Sequence, residues 1–291
     1  MKEILKKTLP VNMVNHISVV KTYFRLRKET ILQMKRFARS YAKRTSCKKE
    51  HIETHIIFLT HQIEKGLSHR NFRYGFGMKV IKQLAVLLPK LRQIDEEYSD
   101  NEVYRMAIAA LHHYKTKHED EHFDLSNVQS CFDEQTWHDI SKEDSNYGGV
   151  LTIEAKDKTK NASLTFPKLM ENRHSIREFA DEQVTAEEII PAIEMAMRTP
   201  SVCNRQPTRV RIITDQAILP KVMKLQGGMN GYPIPPAMIL VTADNQAFMD
   251  SIERNEGFVD GGLFSMSLLL ALESIGLAAC PSVSYTHLTL P

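Results

Sequence analysis

The chain has 291 residues, of which 42% are hydrophobic and 25% are charged. This composition is typical of soluble globular proteins and excludes collagen, low-complexity disorder and coiled-coil arrays. At about 150 residues per domain, the length predicts roughly two domains. The cysteines form no CxxC pair, which argues against a disulfide framework or a thiolate zinc site and favours a reducing, cytoplasmic compartment. They are Cys47, Cys131, Cys203 and Cys280.

The net charge of +3 is unevenly distributed along the chain. Residues 1–50 contain 14 Lys and Arg against three Glu, a balance of +11, so the other 241 residues carry −8. Such a basic arm suits phosphates or an anionic membrane surface, but a solvated helix face is the favoured interpretation. No feature specific to nucleic acid accompanies it. The first residues lack a sustained apolar run and a cleavage site, which argues against a secretory signal.

Helical periodicity dominates the first 120 residues. Apolar residues recur at three- and four-residue spacing, which predicts helices over about 14–49, 49–64, 78–97 and 101–117. Lys65 and Gly66 suit the end of the second helix. We therefore predict an all-helical region over 1–120, followed over 121–165 by a linker in which the periodicity fades and turn residues accumulate.

Helices and strands alternate in the remainder of the chain, which predicts an α+β fold. Helices are expected at 166–172 and 186–198, the second with a capping box formed by Thr185 and Glu188. Strands are expected at 209–214 and 237–242, with a helix-free Gly/Pro turn at 226–236 between them. The second strand is apolar enough to be buried on both faces. The apolar run 261–280 contains an acidic residue and follows another, which favours a buried amphipathic helix over a membrane span.

A basic segment, Arg173-His174-Ser175-Ile176-Arg177, places two arginines and a serine at alternate positions. In an extended backbone these three side chains share one side and offer two guanidinium forks and a hydroxyl to a phosphate or an electron-rich ring. A surface arginine pair beside a loop explains the same pattern equally well.

A second polar segment follows the helix predicted at 186–198. Its backbone is fixed at both ends by Pro200 and Pro207, and between them lie Ser201, Asn204 and Gln206. Amide side chains offer both a donor and an acceptor, which suits the alternating edge of a flavin or a nucleobase. A plain polar turn would contain similar residues.

Together, the patterns R-H-S-I-R-x-F and P-S-x-x-N-x-Q-P resemble the nitroreductase family of FMN-dependent oxidoreductases. The later run from Gly257 to Cys280 is similar to that family's long core helix and the Gly-Leu turn after it. The resemblance covers about 166–283. It implies a three-layer α/β/α FMN-binding domain with a mixed, mainly antiparallel sheet.

The resemblance also implies roles for individual residues. Arg173 and Ser175 would hold the FMN phosphate and ribityl chain, and Arg177 would lie near the N1/C2 carbonyl edge, where a fixed cation stabilises the reduced flavin. His174 would contact the cofactor through its backbone. The other matching positions lie on a loop that reaches the flavin, in many family members from the second subunit of a homodimer. They are Pro200, Ser201, Asn204 and Gln206.

The implied activity is hydride transfer from NADH or NADPH through FMN to a small-molecule acceptor such as a nitroaromatic or a quinone. No protein nucleophile is then required, which agrees with the absence of G-x-S-x-G, HExxH and P-loop motifs from the sequence. Family members usually continue beyond the Gly-Leu turn. Residues 284–291 do not follow the family pattern, and we expect them to be a non-native tail on a truncated reading frame.

Other patterns leave alternatives open. The string 61–77 is weakly similar to the leader region of nitroreductase-like proteins linked with surface polysaccharide synthesis. The pairs His51/His55 and His118/His122 have the spacing of two metal ligands on one helical face, but without a third ligand we expect no metal. A different function is a catalytically lapsed flavin-fold scaffold that docks a membrane or a partner through its basic helix. Nucleic-acid binding by 14–50 is a third, less favoured hypothesis.

Overall fold

The computed structural model describes residues 10–143, 145 and 147–283, so the tail expected at 284–291 lies outside the described residues. The chain divides into a helical unit, Ser40–Ile153, and an α+β unit made of Glu154–Pro291 together with Met1–Arg39. The α-helices are α1 (Val11–Ser40), α2 (Lys49–Leu67), α3 (Met78–Ile94), α4 (Glu102–Glu119), α5 (Ser126–Gln129), α6 (Glu134–Lys142), α7 (Phe166–Asn172), α8 (Ala186–Ala196), α9 (Leu219–Gln226) and α10 (Glu256–Ser274). The strands are β1 (Thr208–Ile213) and β2 (Met238–Ala243).

The helical unit is built around α2, which packs against both α3 and α4. Each of these helices buries one apolar stripe, with Ile56, Leu84 and Leu111 among the core residues. Asn101 caps α4 by accepting hydrogen bonds from the backbone N–H groups of Val103 and Tyr104. The apolar periodicity therefore predicts the helices and their buried faces together.

The segment predicted as a linker over 121–165 contains more structure than its composition indicates. It begins with α5 and α6, and α6 packs against α4. Val128 and Ile140 join the core of the helical unit. These helices are too short for a periodic pattern to emerge, so their stability depends on tertiary packing. The division between the two units falls at Ile153 and Glu154.

Gly66 does not follow α2 but lies within its last turn, since the helix continues to Leu67. A Cβ at this position would lie 1.8 Å from the Phe76 ring. The ring belongs to an aromatic cluster around the buried side chain of His118. The cluster comprises Phe72, Tyr74, Phe76, Tyr114 and Phe123. Glycine is required at position 66 because the Phe76 ring approaches the backbone closely, and not because the helix ends there.

In the α+β unit, β1 and β2 pair antiparallel with Thr208 opposite Ala243 and Ile213 opposite Met238. The helix α10 packs on α8 and on both strands. Its inward residues, including Phe264 and Leu268, meet Ile189 and Ala192 of α8 in the core. The structure therefore agrees with the α+β class and with an antiparallel sheet.

One prediction for the sheet region is wrong and one element was not predicted. The Gly/Pro turn over 227–236 is free of helix as expected, but α9 precedes it and ends at Gly227, which has the left-handed conformation. The strand β2 is not buried on both faces, since Leu240 is 43% exposed. The pair of strands has α8 and α10 packed on one face only, so alternate residues of β2 face outward.

The long helix α10 satisfies the length and composition criteria of a membrane span, as core helices of soluble proteins also do. Its two buried acidic residues have polar partners within the unit. Asp260 accepts hydrogen bonds from the backbone N–H of Val202, and Glu273 forms a buried ion pair with Lys158. These contacts and the apolar packing against α8 agree with the expected amphipathic core helix.

The helix α1 begins at Val11 and ends at Ser40, earlier than its basic pattern indicates. Its contacts to the α+β unit are polar. Arg25 Nη1 lies 2.9 Å from Asp250 Oδ2, and Arg254 donates to Gln33 Oε1 at 2.8 Å. Within the described part of the chain, no residue of α1 is buried.

Candidate functional site

The basic segment follows directly from the end of α7. Arg173 leaves the helix with an extended backbone (φ −72°, ψ 113°), and Ser175 forms a parallel bridge with Ala279. The backbone N–H of Ile176 donates to the carbonyl oxygen of Ala279 at 3.1 Å. The extended conformation expected from the alternating residues is therefore present, and it is held by the chain that follows α10 and Gly276.

The side chains of this segment are half-buried and differ in their partners. Arg177 Nη1 donates to the carbonyl oxygen of Ser175 at 3.4 Å, and His174 Nδ1 donates to that of Asn172 at 2.9 Å. Arg173 makes no side-chain hydrogen bond or ion pair with the described residues. Arg173 and Arg177 are both half-buried, but only Arg173 has all the N–H donors of its guanidinium available to an anion within the described part of the chain.

The second polar segment is a strained loop around a 3₁₀ turn at Val202–Asn204. Cys203, Asn204 and Gln206 all have positive φ, between 49° and 53°. For residues other than glycine this conformation costs about 1–2 kcal/mol each, so the surrounding structure must enforce it. Such strain is common at ligand-binding sites, and it was not predictable from the sequence.

Hydrogen bonds within the loop fix its polar side chains. Ser201 Oγ accepts from the backbone N–H of Gln206 at 2.9 Å, and Gln206 Nε2 donates to Asn204 Oδ1 at 3.2 Å. The serine hydroxyl keeps one donor. Pro200, Asn204 and Gln206 are exposed. The loop therefore presents a pre-ordered set of amide groups to its surroundings.

Two acidic residues that the sequence patterns missed, Glu253 and Asp260, hold this loop in place. Arg205 forms a bidentate ion pair with Glu253 at 2.8 and 3.0 Å, and its Nη1 also donates to the carbonyl oxygen of Ala247 at 2.9 Å. The hydrogen bond from Arg205 lowers the pKa of Glu253 to about 2. Asp260 receives the Val202 N–H at 3.2 Å. The position of Asp260 directly before the apolar run 261–280 was a signal in the sequence that this acid has a buried role. No local sequence pattern indicates the role of Glu253.

A small cavity of about 20 Å³ lies under the loop, lined partly by Thr199, Ser201 and Gln206. This volume is close to that of one water molecule, so the cavity itself does not accommodate a ring system. Thr199 Oγ1 is buried there without a hydrogen-bond partner among the described residues. A buried unpaired hydroxyl next to a strained loop indicates a polar ligand or water at this place.

The structure does not join the two candidate segments. The basic segment 173–177 is bonded to Ala279, whereas the loop 200–206 is bonded to Asp260 and Glu253. Among the described residues the two segments share no hydrogen bond or ion pair. Each half of the predicted site is therefore ordered independently within the α+β unit.

A family model described as the nitroreductase family matches residues 170–230, a range that contains both candidate segments. The chain contains a nitroreductase-like region. The resemblance inferred from the two polar patterns is thereby confirmed over 170–230.

The nitroreductase-like region has relatives of low identity. It is similar to the FMN reductase [NAD(P)H] of Bacillus subtilis, with 27% identity over 129 residues that cover 39% of this chain and 52% of the relative. It is also similar to a protein of Methanothermobacter thermautotrophicus named as an NADH dehydrogenase/NAD(P)H nitroreductase, with 29% identity over 38% of this chain and 56% of the relative. The chain thus spans about half the length of these relatives.

A solved nitroreductase with bound FMN from Desulfitobacterium hafniense is also similar to the chain. The identity is 24% and the TM-score 0.33, and the match covers 38% of this chain and 66% of that structure.

The donor set of the nitroreductase-like region fits a phosphorylated, planar cofactor. Arg173 supplies a guanidinium and Thr199 a buried hydroxyl, neither of which has a side-chain partner in the described part of the chain. Asn204 and Gln206 supply exposed amides on a pre-ordered loop. Guanidinium groups bind phosphate with two parallel hydrogen bonds, and amides match the donor and acceptor edge of an isoalloxazine ring. The residues present therefore suit FMN chemically.

The two histidine pairs differ in their surroundings. His118 uses both ring nitrogens in hydrogen bonds. His51 Nδ1 and His55 Nε2 are buried and have no hydrogen-bond partner among the described residues. Within residues 10–143, 145 and 147–283, no group of three His, Cys, Asp or Glu side chains has the arrangement of a metal site.

Proposed function

We propose that the α+β unit is an FMN-dependent oxidoreductase that uses NADH or NADPH to reduce a small-molecule acceptor, of which nitroaromatics and quinones are examples. The observation that carries the proposal is the family match over 170–230, because that range contains every candidate cofactor residue. One relative is named FMN reductase [NAD(P)H], which supports the cofactor and the reductant. Hydride transfer between the nicotinamide and the acceptor is the chemistry that bound FMN supplies.

The roles proposed for the basic segment follow from its contacts. Arg173, half-buried and unpaired among the described residues, would bind the phosphate together with the Ser175 hydroxyl. The only hydrogen bond of the Arg177 side chain among the described residues is a long one to the carbonyl oxygen of Ser175, so its charge would be directed to the electron-rich edge of the ring. His174 points its Nδ1 at the backbone, which supports contact through the main chain only.

We further propose that the site is shared between two copies of the chain in a homodimer. Two observations support this proposal. The loop 200–206 and the basic segment 173–177 share no hydrogen bond or ion pair among the described residues. In addition, α10 exposes an apolar face around Gly262, where a Cβ would meet nothing within 4 Å. Its exposed side chains are Phe258, Val259, Leu263 and Met266.

Further parts of the proposal concern the whole protein. The complete domain would be the three-layer α/β/α sandwich implied by the family resemblance, and the compartment would be the cytoplasm, where reduced nicotinamides are supplied. We also propose a link with surface polysaccharide synthesis, which rests on the similarity of the string 61–77 to the leader region of nitroreductase-like proteins with that role. Cells lacking the protein should then have altered surface polysaccharide.

The test is a titration of the purified chain with FMN, followed by gel filtration and anaerobic addition of NADH or NADPH. Arg173→Ala removes charge-assisted hydrogen bonds worth about 1.5–3 kcal/mol, so the Kd for FMN should rise about tenfold to a hundredfold. Arg211→Ala is the matched control, because Arg211 is an exposed arginine of the same unit bonded only to a backbone carbonyl. Equal Kd values for the wild type and Arg173→Ala would overturn the site assignment.

The same experiment separates the enzyme from the lapsed scaffold. Bleaching of bound flavin by nicotinamide, with reoxidation by an added quinone, supports the oxidoreductase. Retained flavin that never bleaches supports the scaffold. Failure of the wild-type chain to retain FMN at any concentration up to its solubility would contradict both.

A further inference from the structure

The basic helix α1 exposes an unusual number of large apolar side chains. Five of them are between 53% and 67% exposed: Met13, Val19, Tyr23, Phe24 and Met34. No residue of this 30-residue helix is buried within the described part of the chain. Scattered exposed apolar residues are ordinary, but a contiguous set on one helix face marks an interaction surface.

These five side chains lie on one face, and the more exposed Val11 (74%) lies outside it. At about 100° per residue, the five fall within an arc of about 140° along the helix, which at 1.5 Å per residue is about 45 Å long. We call this face the apolar arc. Lys21, Lys28 and Lys35, seven residues apart, follow its border next to Phe24. Arg27 is the charged residue inside the arc, and its long side chain can extend to either border.

The opposite face of α1 holds the helix to the α+β unit. Arg25 pairs with Asp250, and Gln33 accepts from Arg254. Both anchors lie outside the apolar arc, on the far side of the helix. The contacts with the unit therefore use polar groups and direct the apolar arc to the outside.

We propose that α1 binds an anionic lipid bilayer, with its axis in the plane of the headgroups and the apolar arc at the boundary with the acyl chains. Helices with an apolar face bordered by lysines bind membranes in this way. The helix has seven Lys and Arg against Glu29, a net charge of +6, which complements anionic headgroups. The proposal does not depend on FMN binding or on turnover.

Charge and apolarity together favour a membrane over other occupants. A second copy of α1 on the apolar arc would bring two helices of charge +6 together, which is unfavourable at ordinary ionic strength. A nucleic acid would pair with the lysines but would leave the apolar arc in water. A bilayer with anionic lipid satisfies both the charges and the apolar side chains.

The test is flotation of the full-length chain with vesicles of equal parts phosphatidylcholine and phosphatidylglycerol, compared with vesicles of phosphatidylcholine alone. Binding should be at least about tenfold stronger to the anionic vesicles and should weaken with salt. Lys21→Glu/Lys28→Glu should reduce it at least about tenfold, as should Tyr23→Ser/Phe24→Ser. All four residues are exposed, so the fold should persist, as circular dichroism will verify.

Matched controls use the exposed helix α9 of the same unit. Lys221→Glu/Lys224→Glu makes the same charge change and should leave vesicle binding within about twofold of the wild type. A Phe24→Trp variant should show a blue-shifted emission with anionic vesicles and quenching by brominated lipid. Equal binding to both vesicle types, or binding unaffected by the α1 variants, would overturn the proposal. The proposal would also be overturned if the wild type did not bind vesicles but formed a dimer, or a complex with nucleic acid, that the α1 substitutions abolish.

Discussion

The backbone N–H of Gly75 donates a hydrogen bond to Nε2 of His118, with an N···N distance of 3.0 Å. The other ring nitrogen, Nδ1, lies 2.7 Å from the carbonyl oxygen of Tyr114. Since an N–H can donate only to an unprotonated nitrogen, His118 is neutral with its proton on Nδ1. Gly75 has φ +72°, and a Cβ there would lie 2.9 Å from the Phe123 ring, so the loop reaches the histidine only with glycine at this position.

The first prediction concerns the pH dependence of the helical unit. Burial lowers the pKa of His118, whereas an unfolded histidine titrates near 6.5. Below that pH the unfolded state binds more protons than the folded state, so the free energy of unfolding should fall as the pH falls, by up to about 1.4 kcal/mol per pH unit. The fluorescence of Trp137, the one tryptophan, can report urea unfolding between pH 7 and 5.

His118→Gln should reduce this dependence, and part of it should remain because burial also lowers the pKa of His113. His138→Gln, at an exposed histidine of the same unit, is the control. Nitrogen chemical shifts of His118 should show the Nδ1–H tautomer at pH 7. A protonated imidazolium at that pH would contradict the assignment.

Local signals in the sequence predicted much of the α+β unit. The bounds of α7 agree with the prediction, and the Thr185 and Glu188 capping box at the start of α8 is confirmed. Such caps involve residues only three apart, so a sequence pattern can contain them. The helix α9 was missed because the glycines after it suggested a continuous turn.

Features that depend on tertiary contacts were beyond local patterns. Arg205 and Glu253 are 48 residues apart, and their pairing is visible only in the fold. The positive φ of Cys203 has no signature in residue type, whereas Asn204 is a residue that adopts this conformation more readily than most. For α1, the sequence showed the charge but not which face contacts the unit, so the exposed apolar arc could not be inferred.

The second prediction concerns the ion pair beneath the 200–206 loop. The Arg205 guanidinium holds the pKa of Glu253 at about 2, below the value near 4.3 of an unfolded glutamate. A carboxylate with a depressed pKa stabilises the fold fully above the unfolded pKa, and that contribution is lost as the pH falls through about 2. Between pH 4.5 and 2, unfolding of the wild type should take up about one more proton than unfolding of Glu253→Gln.

The measurement is the urea midpoint of the α+β unit by circular dichroism as a function of pH. Glu187→Gln, an exposed glutamate on α8, is the control and should follow the wild type. In Glu253→Gln, the N–H of Gln206 should also exchange faster, because the loop loses its anchor. Parallel pH profiles for wild type and Glu253→Gln would show that the pair does not stabilise the loop.

The third prediction concerns the buried ion pair between Lys158 and Glu273, which connects the 3₁₀ turn Ala155–Lys158 to the end of α10. Asn161 Nδ2 also donates to Glu273 Oε1 at 2.8 Å. Removing one partner leaves a buried charge unpaired, so Glu273→Ala should lower the free energy of unfolding by about 3–5 kcal/mol. Lys158→Met/Glu273→Gln removes both charges, keeps an acceptor for Asn161, and should restore most of that loss.

The ion pair between Lys158 and Glu273 also stabilises the backbone of the candidate cofactor site. Glu273 precedes the Gly276 turn, and that turn leads to Ala279, which bonds the backbone of Ser175 and Ile176. Loosening the end of α10 should therefore speed amide exchange at Ile176, and the double variant should slow it again. The salt bridge between Lys168 and Glu171, exposed at both ends, serves as the control, and Glu171→Ala should change neither quantity measurably. A double variant as unstable as Glu273→Ala would indicate that packing, not charge pairing, governs this position.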